Sequence, residues 1–123
     1  MIVGIGIDLV DIDRFRRSLE RTPSMRQRLF TEAELAYVAP QIDDAASLAA
    51  RFAAREAVMK ALGLGLGAFG FHDVWVDRAD SGAPSLMIVG TASTLAAAAG
   101  VNHWHLSLTH SDTTAGAYVV AES

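Results

Sequence analysis

Two acidic side chains stand in stretches of sequence that are otherwise apolar or made of small residues. Asp8 ends the run MIVGIGID, and Glu56 lies within ASLAARFAAREAVMKAL. An ionised carboxylate that is buried without a partner costs several kcal/mol, so each of these groups requires a compensating charge. A hard cation such as Mg²⁺ would satisfy both, because it takes one or two carboxylates together with phosphate oxygens and water.

Ordinary salt bridges are the alternative to a metal site. Glu56 and Lys60 are one helical turn apart, a spacing at which opposite charges pair, and Asp8 would then bind an arginine elsewhere. In the metal-site interpretation, Lys60 instead reaches a phosphate held by the cation. The glycine-rich segment GLGLGAFG (63–70) follows directly, and loops of this kind often border ligands. The spacing alone leaves both interpretations open.

Three of the four histidines fall in HWHLSLTH (103–110). The alternation of a strand places His103 and His105 on one face with Thr109, and His110 at the strand's end. Two histidines on one face suggest a transition-metal site, but no third nitrogen or thiolate ligand is near them. A polar face turned to solvent or to an interface is the favoured interpretation, and His110 beside a turn is either a cap or an acid–base group.

Basic residues are concentrated near the N-terminus. Six of the ten lie between positions 11 and 28 beside three acidic residues, so that segment carries +3 while the rest of the chain carries −7. Asp11 is placed to cap a helix on which Arg14, Arg17 and Arg21 share one face. A local basic patch on an acidic chain favours an acidic protein or a phosphorylated ligand over nucleic acid, with a merely solvated helix face as the alternative.

Composition limits the classes of protein to be considered. A chain of 123 residues that is 51% hydrophobic predicts a single domain over residues 1–123. The absence of cysteine excludes disulfides, thiolate metal sites and a cysteine nucleophile. No apolar run reaches the roughly 18 to 20 residues of a membrane span, and no basic segment precedes the first apolar run. We therefore expect a cytoplasmic protein without membrane association.

Several elements must position these side chains. Residues 1–10 predict a buried strand, and the two glycines on the face of Asp8 allow another element to approach closely. Residues 45–62 predict a long helix, apolar nearly all round and therefore central, that ends at Gly63. The predicted order is one strand, four helices, two strands, one helix and two strands. The other assigned elements are a helix after Asp11, a short helix capped by Thr31, strands at 74–76 and 86–90, a helix at 91–100, and strands at 103–110 and 116–120.

Three motifs, in this order and in a chain of this length, resemble the holo-acyl-carrier-protein synthase family, the small bacterial type of 4′-phosphopantetheinyl transferase. They are GIDLVDIDRF (6–15), RFAAREAVMKALG (51–63) and HLSLTH (105–110). FTEAEL (30–35) and the turn Gly-Ala-Pro (82–84) also fit the family pattern. The resemblance spans nearly the whole chain.

The resemblance implies a fold, an activity and an assembly. The fold is α+β, a single domain with an antiparallel sheet packed on a long central helix. The activity is transfer of 4′-phosphopantetheine from coenzyme A to a serine of an acyl carrier protein, releasing adenosine 3′,5′-bisphosphate, in fatty acid biosynthesis and lipid metabolism. The assembly is a homotrimer with active sites between subunits, and neither nucleic acid nor a membrane is a partner.

The resemblance also implies residue roles. Asp8 and Glu56 would bind Mg²⁺, with Mn²⁺ as the alternative ion, while Glu56, Lys60 and His110 would be catalytic. Coenzyme A would contact a set drawn from three parts of the chain: Arg51, Lys60, Gly82, Pro84, His105, Thr109 and His110. The acidic carrier protein would dock on exposed arginines: Arg14, Arg17, Arg21 and Arg28.

Two positions depart from the family pattern, and several questions stay open. Arg55 stands where the family commonly has lysine, and Ser111 separates Asp112 from the last histidine of the motif, so neither Arg55 nor Asp112 is given a catalytic role. The general base is Glu56, a metal-bound water or His110. A non-enzymatic binding module and a Mg²⁺-dependent phosphohydrolase are the rival functions. The type of carrier protein and the tolerance for acyl-coenzyme A are undetermined.

Overall fold

Strands and helices follow one another along the chain in the predicted order. The computed structural model describes all residues from 1 to 123. The elements are β1 (Ile2–Asp11), α1 (Ile12–Arg21), α2 (Met25–Leu29), α3 (Glu32–Val38), α4 (Ala45–Ala61), a 3₁₀ turn (Phe71–Asp73), β2 (Val74–Arg78), β3 (Pro84–Ile88), α5 (Gly90–Ala98), β4 (His103–His110) and β5 (Thr114–Glu122). The fourth predicted helix, which was predicted without bounds, is the five-residue α2.

The strands form two antiparallel sheets. β1, β5 and β4 make a three-stranded sheet in that order, and β2 and β3 form a separate hairpin. In the larger sheet Asp8 lies opposite Ala117 of β5, which is opposite Leu108 of β4. The predicted α+β fold, with an antiparallel sheet packed on a long helix, is confirmed.

Helix α4 is the central element. Twelve of its 17 residues are buried, as its nearly uniform apolar surface predicts. Its C-terminal half packs in a core shared with the large sheet, β2 and α5, and its N-terminal half packs in a second core with α1 and α3. The helix ends as predicted, because Gly63 adopts a φ of 69° and Leu64 N–H donates to the Met59 carbonyl.

Two glycines bring β1 into direct contact with the backbone of α4. A Cβ atom on Gly4 would lie 1.8 Å from the Ala61 carbonyl oxygen, and one on Gly6 would lie 1.8 Å from the Ala57 carbonyl oxygen. No side chain fits at either position. The predicted close approach is confirmed, and it places Asp8, the next residue on the same strand face, over the last turns of α4.

The other face of β1 is a correction to the predicted buried strand. Ile5, Ile7 and Leu9 are 50%, 55% and 67% exposed. The sheet has three strands, and α4 covers only one of its faces. The opposite face, with Tyr118 of β5 also 44% exposed, therefore carries large apolar side chains at the surface of the single chain.

Hydrogen bonds at the predicted caps define the ends of the short helices. The Asp11 side chain accepts from Arg14 N–H at 2.8 Å at the start of α1. Thr31 and Glu34 form a reciprocal capping box at the start of α3.

No helix in the structure combines the length and the apolar character needed to cross a membrane.

Candidate active site

Asp8 and Lys60 pair where β1 passes over α4. The Lys60 Nζ atom donates to Asp8 Oδ1 at 3.0 Å and to the Ile7 carbonyl oxygen at 3.0 Å. This arrangement differs from the salt-bridge alternative, in which Lys60 paired with Glu56 and Asp8 paired with an arginine. The close approach of β1 explains the difference, because it brings a second carboxylate within reach of the lysine.

Glu56 is left without a hydrogen bond or an ion pair. Burial raises the pKa of its carboxyl group, the nearby charge of Asp8 raises it further, and Lys60 opposes both effects. Two carboxylates therefore share one lysine. The negative charge at this point is under-compensated, and an added cation or a proton would be favoured there.

Asp8 lies between two depressions in the surface. One, of about 470 Å³, is bordered by Asp8 and Glu56 and has an apolar wall that includes Phe52 and Leu66. The other, of about 380 Å³, is bordered by Asp8 and Lys60. Leu66 belongs to the glycine-rich segment, so that segment borders this depression. We call the larger depression the Asp8–Glu56 cleft.

Arg51 belongs to a second cluster. It is 2% exposed, its Nη1 atom donates to the Ser47 carbonyl oxygen at 3.0 Å, and its guanidinium lies 4.9 Å from the centre of the Tyr37 ring. Arg78 lies 5.8 Å from the same ring and donates to the Gly82 carbonyl oxygen at 2.6 Å. Burial, reinforced by the charge of Arg78, lowers the pKa of Arg51.

The sequence analysis missed Arg78 and Tyr37 as neighbours of the predicted coenzyme-A residues. No carboxylate forms a salt bridge with either arginine of this cluster, and the Nε atoms of Arg51 and Arg78 are buried without a hydrogen-bond partner. Arg78 stands four residues before Gly82 in a hairpin turn. This spacing could have predicted that the Arg78 side chain contacts the turn. Pro84 begins β3 directly after that turn.

The third predicted group lies on β4. His105 and Thr109 are exposed on the sheet face turned away from α4, and His105 Nε2 lies 3.3 Å from Glu122 Oε1, a contact that lowers the pKa of Glu122. His110 is exposed at the strand's end, two strands away from β1 and thus roughly 10 Å across the sheet. A single chain therefore does not bring these residues to the Asp8–Glu56 cleft.

The histidines agree with the polar-face interpretation. His103 and His105 are both exposed on the face predicted for them. No group of three or more histidine, aspartate or glutamate side chains converges anywhere in the chain.

The structure divides the basic segment into paired and unpaired arginines. Arg16 binds Asp13 and Asp43, and Arg26 binds Asp44, at distances of 2.5 to 2.7 Å. These two arginines are half-buried and electrically compensated. The predicted docking residues are instead exposed and have no ion pair: Arg14, Arg17, Arg21 and Arg28.

Comparisons with known proteins agree with this fold. The 4′-phosphopantetheinyl transferase superfamily matches residues 4–121. The chain belongs to that superfamily.

Within the superfamily, the chain is similar to proteins named holo-acyl-carrier-protein synthases. It is 52% identical to a holo-[acyl-carrier-protein] synthase of Streptomyces avermitilis over 98% of each chain. The crystal structure of the Neisseria meningitidis holo-[acyl-carrier-protein] synthase matches with a TM-score of 0.90 at 32% identity, covering both chains completely. A holo-(acyl-carrier-protein) synthase of Bacillus anthracis, solved in complex with CoA (3′,5′-ADP), matches with a TM-score of 0.83 at 35% identity over 100% of this chain and 98% of that one.

The charge imbalance at Glu56 predicts a pH-dependent change in stability. Without metal ions at pH 7, Glu56→Gln should melt at a higher temperature than the unchanged protein. Because folding raises the pKa of Glu56 above 4.5, ionised Glu56 opposes folding at pH values above the folded pKa, and this effect is lost as the pH falls to 4.5.

Thermal melts in chelator between pH 7.5 and pH 4.5 measure the effect. The difference in melting temperature should narrow as the pH falls. Glu20→Gln, at an exposed and unpaired position of α1, is the control and should change the melting temperature little at any pH. A difference for Glu56→Gln that does not vary with pH would contradict the assignment.

Proposed function

We propose that this chain is a holo-acyl-carrier-protein synthase that transfers 4′-phosphopantetheine from coenzyme A to a serine of apo-acyl carrier protein. The observation that carries the proposal is that Asp8 borders one cleft with Glu56 and forms an ion pair with Lys60, in a chain 52% identical to a synthase of that name. The Bacillus anthracis relative, solved with CoA (3′,5′-ADP), supports coenzyme A as the donor.

We further propose that residues 1–123 act as one domain, since α4 joins both cores. We also propose that the protein works in the cytoplasm.

Asp8 and Glu56 fit a divalent cation. Both border the same cleft, both ligands are carboxylates, and Glu56 has no other polar partner in the structure. Two carboxylates with remaining ligands from water and substrate phosphate is the donor set typical of Mg²⁺, and Mn²⁺ accepts the same oxygen ligands. Bound there, the cation would neutralise charge on the pyrophosphate of coenzyme A.

The protein's own groups account for the rest of the reaction. The serine oxygen of the carrier attacks the β-phosphorus of coenzyme A, the bond from that phosphorus to the bridging oxygen breaks, and adenosine 3′,5′-bisphosphate leaves with the bonding electrons. Lys60, half-exposed beside Asp8, is placed to stabilise the charge on the phosphates. Glu56 is the proposed acceptor of the serine proton because Glu56 borders the cleft and His110 does not.

We propose that the active site is completed in a homotrimer. Asp8 faces α4, whereas His105 and Thr109 face the opposite side of the same sheet, so one chain cannot turn both groups toward one substrate. That opposite side carries the exposed apolar side chains of β1. Burial of Ile5, Ile7 and Leu9 against a neighbouring copy would remove this apolar surface from water and bring β4 of one chain near the cleft of the next.

The exposed arginines are the proposed docking surface for the carrier protein. Arg14 also borders the Asp8–Glu56 cleft, so the basic face of α1 leads to the reaction site. The paired arginines contribute no net charge to that face, because aspartates compensate them. An acidic carrier would therefore meet a surface whose positive charge lies beside the cleft.

Removal of either carboxylate from the cleft should abolish transfer. Asp8→Ala and Glu56→Ala should each lower the turnover by about a thousandfold, since a cation is worth several kcal/mol of charge stabilisation in the transition state. The assay incubates each protein with coenzyme A, Mg²⁺ and apo-carrier protein and weighs the carrier by mass spectrometry. Asp77→Ala, at an exposed carboxylate of β2, is the matched control and should retain normal turnover.

The same assay separates the rival functions. Coenzyme A cleaved without modified carrier would indicate a phosphohydrolase, and no reaction would indicate a binding module. A variant of Asp8 or Glu56 that folds and turns over normally would show that the site is misassigned. Variants that lose stability but retain activity would support the salt-bridge interpretation for both carboxylates.

Reversal of charge on the docking surface should weaken carrier binding only. The double variant Arg14→Glu/Arg21→Glu should raise the KM for carrier protein about tenfold or more at low salt, and the increase should shrink as salt screens the charges. The KM for coenzyme A should not change. Glu20→Arg, a change of opposite sign on the same helix, is the control and should not raise the KM for carrier protein.

Mixed trimers should recover activity that the parent variants lack. If Glu56 and His105 of one site come from different chains, co-expression of Glu56→Ala with His105→Ala should give mixed trimers in which about a quarter of the sites hold both intact side chains. Turnover of the mixture measures the recovery, and light scattering measures the assembly. A fully active monomer at working concentration would rule out the shared site.

A further inference from the structure

Arg55 and Glu34 form an ion pair in the interior of the chain. Both side chains are 0% exposed. The guanidinium binds the carboxylate through two contacts, Nη2 to Oε1 at 2.5 Å and Nη1 to Oε2 at 3.0 Å. This fork-to-fork geometry is the strongest and most directional form of a salt bridge. No other oppositely charged pair in the chain is completely buried.

The remaining polar atoms of the pair bind backbone groups on three sides. Arg55 Nε donates to the Phe71 carbonyl oxygen at 2.8 Å, directly after the glycine-rich segment. Glu34 accepts from Val76 N–H of β2 at 3.1 Å and from Thr31 N–H at 3.0 Å. Two side chains thereby connect α3, α4, β2 and the end of the segment 63–70.

The packing of α4 gives these directional contacts a particular importance. Eight of its 17 residues are alanine, and such short side chains offer little shape to fix the rotation of a helix about its axis. Hydrophobic burial is itself non-directional. Arg55 is the next residue before Glu56 on α4, so a contact that holds the Arg55 side of the helix also sets the direction in which Glu56 and Lys60 point.

We propose, on the basis of the function proposed above, that Arg55 held by Glu34 is a positioning residue of the transfer reaction. It fixes the rotation of α4, and through the Phe71 carbonyl it fixes the end of the segment that carries Leu66. Glu56 and Leu66 border the same cleft, so one guanidinium sets the position of both sides of that cleft. The lysine that is common at this position in the family would keep the charge, but in this chain it would lack the planar fork that meets the Glu34 carboxylate and the Phe71 carbonyl together.

The test compares turnover with stability in Arg55→Lys, Arg55→Met and the double variant Glu34→Gln/Arg55→Met. Turnover is measured under conditions in which circular dichroism shows each protein to be folded, and stability is the midpoint of urea unfolding. We expect Arg55→Lys to lower kcat by about 10- to 100-fold, with the KM for coenzyme A and for carrier protein within about twofold, since small displacements of catalytic groups have effects of this size.

The double variant distinguishes positioning from a purely structural role. Removing both charges should restore much of the urea midpoint that Arg55→Met loses, because no unpaired charge is left buried. The kcat should stay as low as in Arg55→Met, because the Phe71 carbonyl still lacks its donor. A kcat that recovers together with the urea midpoint in the double variant would overturn the proposal. A normal kcat in Arg55→Lys would also overturn it. If Arg55→Met does not fold, the kcat of Arg55→Lys is sufficient to test the proposal.

Arg26→Lys is the matched control. Arg26 binds Asp44 through two contacts, of 2.5 and 3.1 Å, at the other end of α4, so the substitution disturbs a similar ion pair away from the cleft. At saturating carrier protein its kcat should be normal. If the unchanged protein does not modify the carrier, both the proposed function and this inference are overturned. If the unchanged protein is active and Arg55→Lys has normal kcat, only this inference is overturned.

Discussion

Direct contact between the backbones of β1 and α4 is the constraint on which the site depends. At Gly4 and Gly6 a single added carbon atom would lie 1.8 Å from a carbonyl oxygen of the helix. This proximity carries Asp8 to the last turns of α4, where it takes Lys60 as its partner and leaves Glu56 without one. The chemistry proposed for the cleft therefore depends on glycine at positions 4 and 6, where no side chain separates β1 from α4.

The charged groups of the chain divide according to the dielectric surroundings in which they lie. The Arg55–Glu34 pair is completely buried and fully hydrogen-bonded, which is the condition under which an ion pair can specify geometry. The pair of Asp8 with Lys60 is partly exposed, with Lys60 54% open to solvent, so its lysine can exchange one anion for another. Rigid charges thus lie behind the cleft, and exchangeable charges lie at its surface.

The uncovered face of the large sheet links assembly to function. Apolar side chains of β1 and polar side chains of β4 lie on the same face of the three-stranded sheet, on either side of β5, and no element of the chain covers them. An association that buries Ile7 and its neighbours would also enclose His105 and Thr109. The hydrophobic effect and the completion of the proposed coenzyme-A site would then be served by one interface.

Local patterns in the sequence were sufficient to predict the element order, the cap of α1 by Asp11, the end of α4 at Gly63 and the space that the glycines of β1 leave for a close approach. Each of these predictions depends on neighbouring residues alone. They also singled out Asp8, Glu56 and Lys60 as candidates. The ion pair of Asp8 with Lys60, the exposed face of β1 and the contact of Arg55 with Glu34 were decided only by tertiary structure. Those features join residues 21 or more positions apart or depend on which face a helix covers, and periodicity along the chain carries no information about either.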